Sequence, residues 1–193
     1  MQHKKVILIG GSAGSLPVLF RLLRELPASF SAAIVIVLHR LAGHRSSLES
    51  LLQKECSLSV KEVSQFDQLQ AGVVHLTPAD YHLLVDANGR LELDFSEKVQ
   101  YSRPSIDVSL FSFARAYGPQ LIAVMLSGAN SDGADGSYEV KQRGGKLIVQ
   151  SPDEAEVSTM PKAVIEANID VDAVAMSTEL KETLFKYLNH EAN

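Results

Sequence analysis

The chain has 193 residues, a net charge of −5 and 46% hydrophobic residues. This length predicts one domain over residues 1–193 and is too short for a typical (β/α)₈ barrel. The acidic balance disfavours nucleic acid as the main partner. The single cysteine, Cys56, excludes an intrachain disulfide and is typical of a reducing compartment. The longest apolar run, Ala32–Leu38, is too short to cross a bilayer, so we expect a cytoplasmic protein without membrane insertion.

Short apolar runs that are rich in β-branched residues predict strands buried on both faces of a sheet. These runs are Lys5–Ile9, Ala33–Leu38 and Leu121–Leu126. Apolar residues with helical spacing begin at Leu16, Leu110 and Leu180, and Ser15 is an N-cap candidate for the first helix. The alternation of buried strands and amphipathic helices predicts an α/β fold with a doubly wound, mostly parallel sheet in three layers.

The middle of the chain has a different pattern. Three short apolar runs, Val73–Leu76, Tyr81–Val85 and Arg90–Phe95, are joined by turn-forming residues. The pair Asn88-Gly89 between the last two runs is a strong signal for a β-hairpin. We expect the three runs to form an antiparallel meander that is inserted in, or appended to, the parallel sheet.

In open α/β sheets, ligands bind where loops leave the carboxyl ends of the strands, and three such loops stand out here. The first contains Gly10, Ser12 and Gly14 in a G-x-S-x-G pattern between a strand and a helix. This pattern can form a sharp turn that exposes a nucleophilic serine. The alternative is an ordinary tight turn in which Ser12 or Ser15 only caps the helix. A dinucleotide site is disfavoured, because serines occupy two of the glycine positions of G-x-G-x-x-G.

The second loop begins with His39, directly after the most hydrophobic strand of the chain. A histidine on an adjacent parallel strand is a natural general base for Ser12. The alternative is a solvated loop histidine without a catalytic role.

The third loop spans Ser127–Gly136 and contains Asp132 and Asp135. An aspartate here could orient the histidine, and backbone N–H groups could stabilise an oxyanion. Alternatively, either aspartate could cap the following helix. A calcium loop is excluded by the spacing of the carboxylates. The chain order serine, histidine, aspartate also differs from that of α/β-hydrolases.

These loops resemble those of the CheB-type chemotaxis methylesterases, and the resemblance extends from Val6 to about Val174. The family patterns I-G-A-S-T-G-G, Q-H-M-P and T-G-M-G-x-D-G-A correspond to residues 9–15, 38–41 and 127–134. Two further stretches match, R-P-S-[VI]-D at Arg103–Asp107 and a Met-Pro pair at Met160-Pro161. Five ordered matches are much more specific than any single motif.

The resemblance implies a catalytic triad of Ser12 as nucleophile, His39 as base and Asp132, rather than Asp135, as acid. It also implies that backbone N–H groups near Ala13 or Ala129 form the oxyanion hole. Both alanines depart from the family, which has threonine and methionine at these positions, and the residues that flank the histidine differ as well. These departures leave the triad intact and bear more on substrate preference. No metal or organic cofactor is expected.

The implied reaction is hydrolysis of glutamate γ-methyl esters on the cytoplasmic helices of chemoreceptors, with release of methanol and a further capacity to deamidate glutamine. The first strand begins within ten residues of Met1, so we expect no receiver domain. Control would then come from a separate regulatory protein, or the site would stay open. Arg40, Arg45 and Arg103 are candidates for a basic patch that meets the receptor, against the alternative of ordinary surface arginines.

Two rival functions remain. The first is a catalytically impaired receptor-binding module of the same fold. The second is a nucleotide-binding Rossmann-like protein that uses the Gly10–Gly14 loop, which the incomplete glycine pattern disfavours.

Overall fold

The computed structural model describes residues 5–40, 47–167 and 170–189. A parallel sheet of seven strands runs through the centre of these residues, and a separate two-stranded antiparallel hairpin lies beside it. The strands are β1 Val6–Gly11, β2 Ala33–Leu38, β3 Ser59–Glu62, β4 Val73–Leu76, β5 His82–Val85, β6 Leu91–Asp94, β7 Leu121–Met125, β8 Lys146–Gln150 and β9 Ala173–Ala175. The helices are α1 Leu16–Arg24, α2 Leu48–Glu55, α3 Ile106–Tyr117, α4 Ala134–Gln142, α5 Thr159–Glu166 and α6 Leu180–Asn189.

The central strands are buried on both faces, as their continuous apolar sequences predict. Alternate residues of β1 and β2, such as Ile7 and Ile34, face α1, α2 and α6. The intervening residues, such as Leu8 and Val35, face α3, α4, α5 and the hairpin. The predicted three-layer, doubly wound α/β fold is therefore confirmed.

The strand order is β3-β4-β2-β1-β7-β8-β9. After β1 the chain builds the sheet on one side of that strand, with β2, β3 and β4, and then crosses to the opposite side of β1 to form β7. The sheet thus has a topological switch point between β1 and β7, where a crevice opens at the carboxyl ends of the strands. The loops that begin at Ser12, His39 and Ser127 follow the three neighbouring strands β1, β2 and β7.

The predicted antiparallel meander is partly wrong. The Asn88-Gly89 turn does join an antiparallel hairpin, β5 with β6, in which Val85 pairs with Leu91. Val73–Leu76, however, is the parallel strand β4 and pairs with β2 and β3 inside the main sheet. Its residues Val74 and Leu76 are fully buried, and this burial places the strand in the sheet instead of the hairpin.

Candidate active site

The first loop forms a tight turn between β1 and α1. The Ser12 carbonyl accepts the Ser15 N–H at 3.1 Å and the Ser15 hydroxyl at 2.6 Å. Ser15 occupies the N-cap position of α1, but its side chain caps no helix N–H group. The buried hydroxyl of Ser15 therefore closes the turn and does not cap the helix. Ser12 is half-buried and lies at the edge of the crevice.

Close packing explains a glycine in this turn. Gly14 has φ +77°, a conformation that residues with a Cβ rarely adopt. A Cβ at this position would also lie 2.6 Å from the Cβ of Glu156 and 2.7 Å from the hydroxyl of Ser127. The turn is thus pressed against the loop that follows β7 and the loop that precedes α5.

Strand pairing places His39 beside Ser12. Gly11 pairs with Leu38 in the parallel register of β1 and β2, and the His39 N–H donates to the Gly11 carbonyl at 3.3 Å. Ser12 and His39 are therefore the next residues along two adjacent strands. Within the described residues, no hydrogen bond joins the Ser12 hydroxyl to the His39 ring. Catalytic hydrogen bonds are often long in enzymes without bound substrate.

The His39 ring is held by Asp132. His39 Nε2 lies 2.7 Å from Asp132 Oδ2, and the side chains of these residues are 13% and 0% exposed. An ionised carboxylate can only accept hydrogen bonds, so Nε2 carries the proton in this pair. The other ring nitrogen, Nδ1, then remains as the basic atom of a neutral imidazole.

Asp132 receives three further hydrogen bonds from the start of α3. Its Oδ1 accepts the Ser105 hydroxyl at 2.9 Å and the Asp107 N–H at 3.0 Å. Its Oδ2 accepts the Ile106 N–H at 2.8 Å. The first N–H groups of a helix have no partners within the helix, and this end carries a partial positive charge. The N-terminus of α3 is therefore a binding site for the Asp132 carboxylate.

These contacts determine the charge state of Asp132. Burial alone would raise its pKa, but the hydrogen bonds from His39, Asp107 and Ile106 together outweigh burial and lower the pKa below its ordinary value. Asp132 therefore stays ionised and can stabilise a protonated His39.

The segment Arg103–Asp107 has a structural role that the sequence motif did not reveal. Ser105 is the N-cap of α3, where its hydroxyl accepts the Val108 N–H while it donates to Asp132. His82, fully buried on β5, accepts the Ser105 N–H on Nδ1 at 3.1 Å, and its Nε2 lies 3.0 Å from the Glu97 carbonyl. Sequence reasoning missed both Ser105 and His82, although serine just before a helical pattern is a known N-cap signal.

The two expected oxyanion donors lie on adjacent loops, joined by the Ser12 N–H and the Ser127 carbonyl at 2.9 Å. Neither Ala13 N–H nor Ala129 N–H donates to an acceptor among the described residues. The Gly128 carbonyl accepts the Met160 N–H at 2.9 Å, so the N–H of Ala129 in the same trans peptide points the opposite way. Both N–H groups thus remain available to a substrate.

Other side chains support these loops. The buried Ser127 hydroxyl donates to the Ala13 carbonyl at 2.7 Å and accepts the Val157 N–H at 2.9 Å. A Cβ on Gly128 would lie 2.5 Å from the end of the Met160 side chain. The Met160-Pro161 pair therefore supports the loop that carries Ala129.

The expected basic patch is not formed by Arg40 and Arg103. Arg40 binds Glu62 at 2.7 Å and the Thr77 carbonyl at 2.8 Å, with 9% of its side chain exposed. Arg103 binds Asp80 at 2.8 Å and is 11% exposed. Both guanidinium groups are occupied by internal partners and stabilise the loops. Arg45 lies outside the described residues.

The sequence of the chain matches a known protein family over most of its length. Residues 7–184 match the family model described as CheB methylesterase. The chain belongs to this family. Its members are hydrolases, so the CheB methylesterase assignment makes this chain a serine-type esterase at the level of the family.

Relatives and a solved structure agree with the CheB methylesterase assignment. A Leptospira interrogans protein, provisionally named protein-glutamate methylesterase/protein-glutamine glutaminase, is 38% identical over 184 residues that cover 94% of each chain. A Methanosarcina mazei protein-glutamate methylesterase/protein-glutamine glutaminase 2 is 35% identical over 173 residues. The matched segment covers 86% of this chain but only 47% of that longer protein. The crystal structure of the Thermotoga maritima CheB methylesterase catalytic domain matches with a TM-score of 0.90 and 35% identity, over 95% of this chain and 98% of that one.

The described part of the chain has neither a membrane-spanning helix nor a cluster of metal-binding side chains. No helix there is long and apolar enough to span a membrane. The same residues contain no group of three or more histidine, cysteine, aspartate or glutamate side chains that could hold a metal ion.

Proposed function

We propose that this chain hydrolyses the γ-methyl esters of glutamate side chains on chemoreceptors and releases methanol. Ser12 is the nucleophile and His39 is the general base. Asp132 orients the histidine and stabilises its protonated form. Membership of the CheB methylesterase family and the names of the relatives support the reaction class. In this proposal the chain acts as a single catalytic domain in the cytoplasm.

The observation that carries the proposal is the buried pair of His39 and Asp132, 2.7 Å apart, beside Ser12 at the switch point of the sheet. His39 Nδ1 takes the proton as Ser12 Oγ attacks the ester carbonyl. The protonated histidine then gives this proton to the leaving methoxide, and methanol departs from an acyl-enzyme. In the second half of the reaction, His39 takes a proton from water, and the water oxygen attacks the carbonyl carbon of the acyl-enzyme. The histidine then returns this proton to the Ser12 oxygen, and the glutamate carboxylate is released as product.

The tetrahedral intermediate carries a negative charge on the former carbonyl oxygen. The free N–H groups of Ala13 and Ala129 are the donors that we propose for this oxygen. In other hydrolases, removal of one such donor lowers kcat by about 10²–10³-fold. Because both donors belong to the backbone, the two alanines preserve this function despite their departure from the family pattern.

Methanol release from a methylated receptor fragment tests the proposal. We expect Ser12→Ala to reduce the rate by more than about 10⁴-fold, because the attacking oxygen is lost. Ser29→Ala, at an exposed serine next to the amino end of β2, is the matched control and should behave like the wild type. Undiminished methanol release by Ser12→Ala would refute the mechanism.

The same acyl-enzyme route can release ammonia from a glutamine side chain, and the relatives' names include a glutaminase activity. Ammonia release from a receptor fragment with glutamine at the same positions measures this activity. Receptor binding by the wild type without release of methanol or ammonia would instead favour the impaired binding module.

A nucleotide-binding function has less structural support. The Glu156 side chain packs against Gly14 in the loop where the phosphates would lie, and its carboxylate would repel them. A thermal-shift experiment with nucleotides tests this rival, because any nucleotide that binds the folded state must stabilise it. We expect no shift.

A further inference from the structure

The segment between β6 and α3 contains a turn with an unusual backbone. Val99 and Ser102 exchange two backbone hydrogen bonds, at 3.2 and 2.9 Å. The two residues between them, Gln100 and Tyr101, have φ values of 47° and 64°. Left-handed backbone at a bulky residue is uncommon and persists only where the surroundings enforce it. This turn, residues 99–102, is called the rim turn below.

The rim turn is anchored from the inside by Gln100. Its amide nitrogen donates to Asp107 Oδ2 at 3.1 Å, and its amide oxygen accepts the Ser131 hydroxyl at 3.1 Å. Directly after the turn, Arg103 binds Asp80 and the Ser96 carbonyl. The rim turn is therefore attached both to the start of α3 and to the loop that carries Asp132.

Tyr101 points away from all of these anchors. It is 97% exposed, more than any other large apolar or aromatic side chain among the described residues. The Tyr101 side chain therefore buries almost no surface against the rest of the protein. Its backbone is nevertheless held in a conformation that tyrosine rarely adopts. Such an exposed aromatic side chain on an anchored turn is typical of a binding surface.

A cavity of about 200 Å³ lies between the rim turn and the catalytic base. Its lining residues are His39, Arg40, Asp80, Lys98, Tyr101, Ser102 and Arg103. Arg40 and Arg103 are neutralised by Glu62 and Asp80. Lys98 is exposed and has no carboxylate within ion-pair distance in the described part of the chain. Its charge is therefore open to solvent at the mouth of the site, on a chain with a net charge of −5.

We propose that Tyr101 and Lys98 form the docking surface for the polypeptide segment that carries the glutamate methyl ester. This inference rests on the proposed function, since an ester on a protein side chain can reach His39 only if the surrounding polypeptide lies against the rim of the site. Tyr101 packs on the apolar part of that segment. Lys98 faces its glutamate carboxylates, which hydrolysis itself produces.

Steady-state kinetics with a methylated receptor fragment test the docking surface. We expect Tyr101→Ala to raise KM about tenfold, the usual effect of removing an exposed aromatic anchor, with kcat nearly unchanged. Lys98→Glu should raise KM about fivefold at low salt and less at high salt. Hydrolysis of p-nitrophenyl acetate, which needs only the serine and its base, should match the wild type in both variants.

Two matched controls lie away from the cavity. Tyr138→Ala removes an aromatic side chain that is 53% exposed on α4, and Lys54→Glu reverses a charge at the end of α2. Both should leave KM unchanged. An unchanged KM for Tyr101→Ala, or a rise equal to that of Tyr138→Ala, would overturn the docking surface. Concentration-dependent self-association that Tyr101→Ala abolishes, with an unchanged KM, would assign the surface to a second copy of the chain instead.

A binding measurement separates this inference from the proposed function. The affinity of Ser12→Ala for the methylated fragment should fall about tenfold when Tyr101→Ala is added. This result would support docking even if the wild type released no methanol. Equal affinities of the single and double variants would refute docking even if the wild type were fully active.

Discussion

Two buried carboxyl groups lie at the same end of α3 and have opposite pKa shifts. Asp132 is fully buried and its pKa is lowered, whereas Asp107 is 3% exposed and burial raises its pKa to about 7. Both side chains are close to a helix N-terminus. Burial alone therefore does not decide whether a carboxyl group in this protein is charged.

The partners of the two groups explain the difference. Asp132 accepts hydrogen bonds from His39, the Ser105 hydroxyl and two N–H groups of α3. Among the described residues, Asp107 accepts hydrogen bonds from the Gly136 N–H at 2.7 Å and the Gln100 amide at 3.1 Å and from no other group. Once Asp132 is ionised, its charge also opposes ionisation of Asp107. The helix end thus stabilises one negative charge, and that charge lies on the residue that orients His39.

The largest expected effect comes from removing the charge of Asp132. Asp132→Asn retains the size of the side chain but turns one oxygen into a donor that faces either His39 or the N–H groups of α3. We expect kcat to fall about 10⁴-fold, as for a triad whose histidine is held in the wrong tautomer. Loss of the neighbouring charge should also lower the pKa of Asp107. Methanol-release kinetics and NMR titration of the Asp107 carboxyl measure the two effects, and an unchanged kcat would contradict the assigned role.

Asp107→Asn tests the second carboxyl group, and we expect it to change the free energy of unfolding. The folded-state pKa of Asp107 is about 7, above the ordinary value of 3.8. Between these two pH values the folded state holds a proton that the unfolded state has released, so the free energy of unfolding falls as pH rises. Above about pH 7 the full penalty for a buried charge remains, on the order of a few kcal/mol. The amide carries no such penalty.

Urea unfolding from pH 4 to pH 8 measures this difference. We expect the variant to gain stability relative to the wild type as pH rises to about 7, after which the gap stays constant. Asp153→Asn, at an exposed aspartate in the loop after β8, is the matched control, since it removes a carboxyl group that does not act on Asp107. A constant difference between Asp107→Asn and the wild type across the whole range would show that Asp107 is already ionised at pH 4.

The contrast between Asp132 and Asp107 also marks how far the sequence could predict the site. Ser12, His39 and Asp132 each follow a continuous apolar run, and parallel strands bring the ends of such runs to one edge of the sheet. Their proximity was therefore predictable from local patterns. The roles of Ser105, His82 and Asp107 depend on where α3 docks against the loop after β7, about 25 residues further along the chain.

The meander shows the same limit in the fold. The Asn88-Gly89 turn is a local signal, and the hairpin it predicts is present. The partners of Val73–Leu76 are β2 and β3, which precede it in sequence and pair with it in parallel. A four-residue apolar run carries no information on strand direction, so it was grouped with the nearest hairpin. Val74 and Leu76 are buried against one face of the sheet and His75 against the other, and burial on both faces is a tertiary property.

Ser105→Ala tests the N-terminus of α3 itself. The change removes one of four donors to Asp132 together with the N-cap of the helix. We expect the free energy of unfolding to fall by about 1–2 kcal/mol and the pKa of Asp132 to rise. The rate of methanol release should decrease by roughly tenfold, because a less restrained carboxylate orients His39 less well. Ser158→Ala, at the N-cap position of α5 where no side-chain cap bond forms, should change neither quantity appreciably.

The smallest effect is expected for Gln100→Ala, which removes a single neutral partner of Asp107. A donor to a carboxylate favours the charged form, so its loss should raise the pKa of Asp107 further, by an amount worth less than about 1 kcal/mol. Asp132 keeps all four of its donors, so kcat should stay near the wild-type value. The rim turn also loses its inner anchor, and KM for the receptor fragment should therefore rise even though Tyr101 is present. A fall in kcat with an unchanged KM would mean that the two carboxyl groups are coupled through Gln100 more strongly than their separate hydrogen bonds imply.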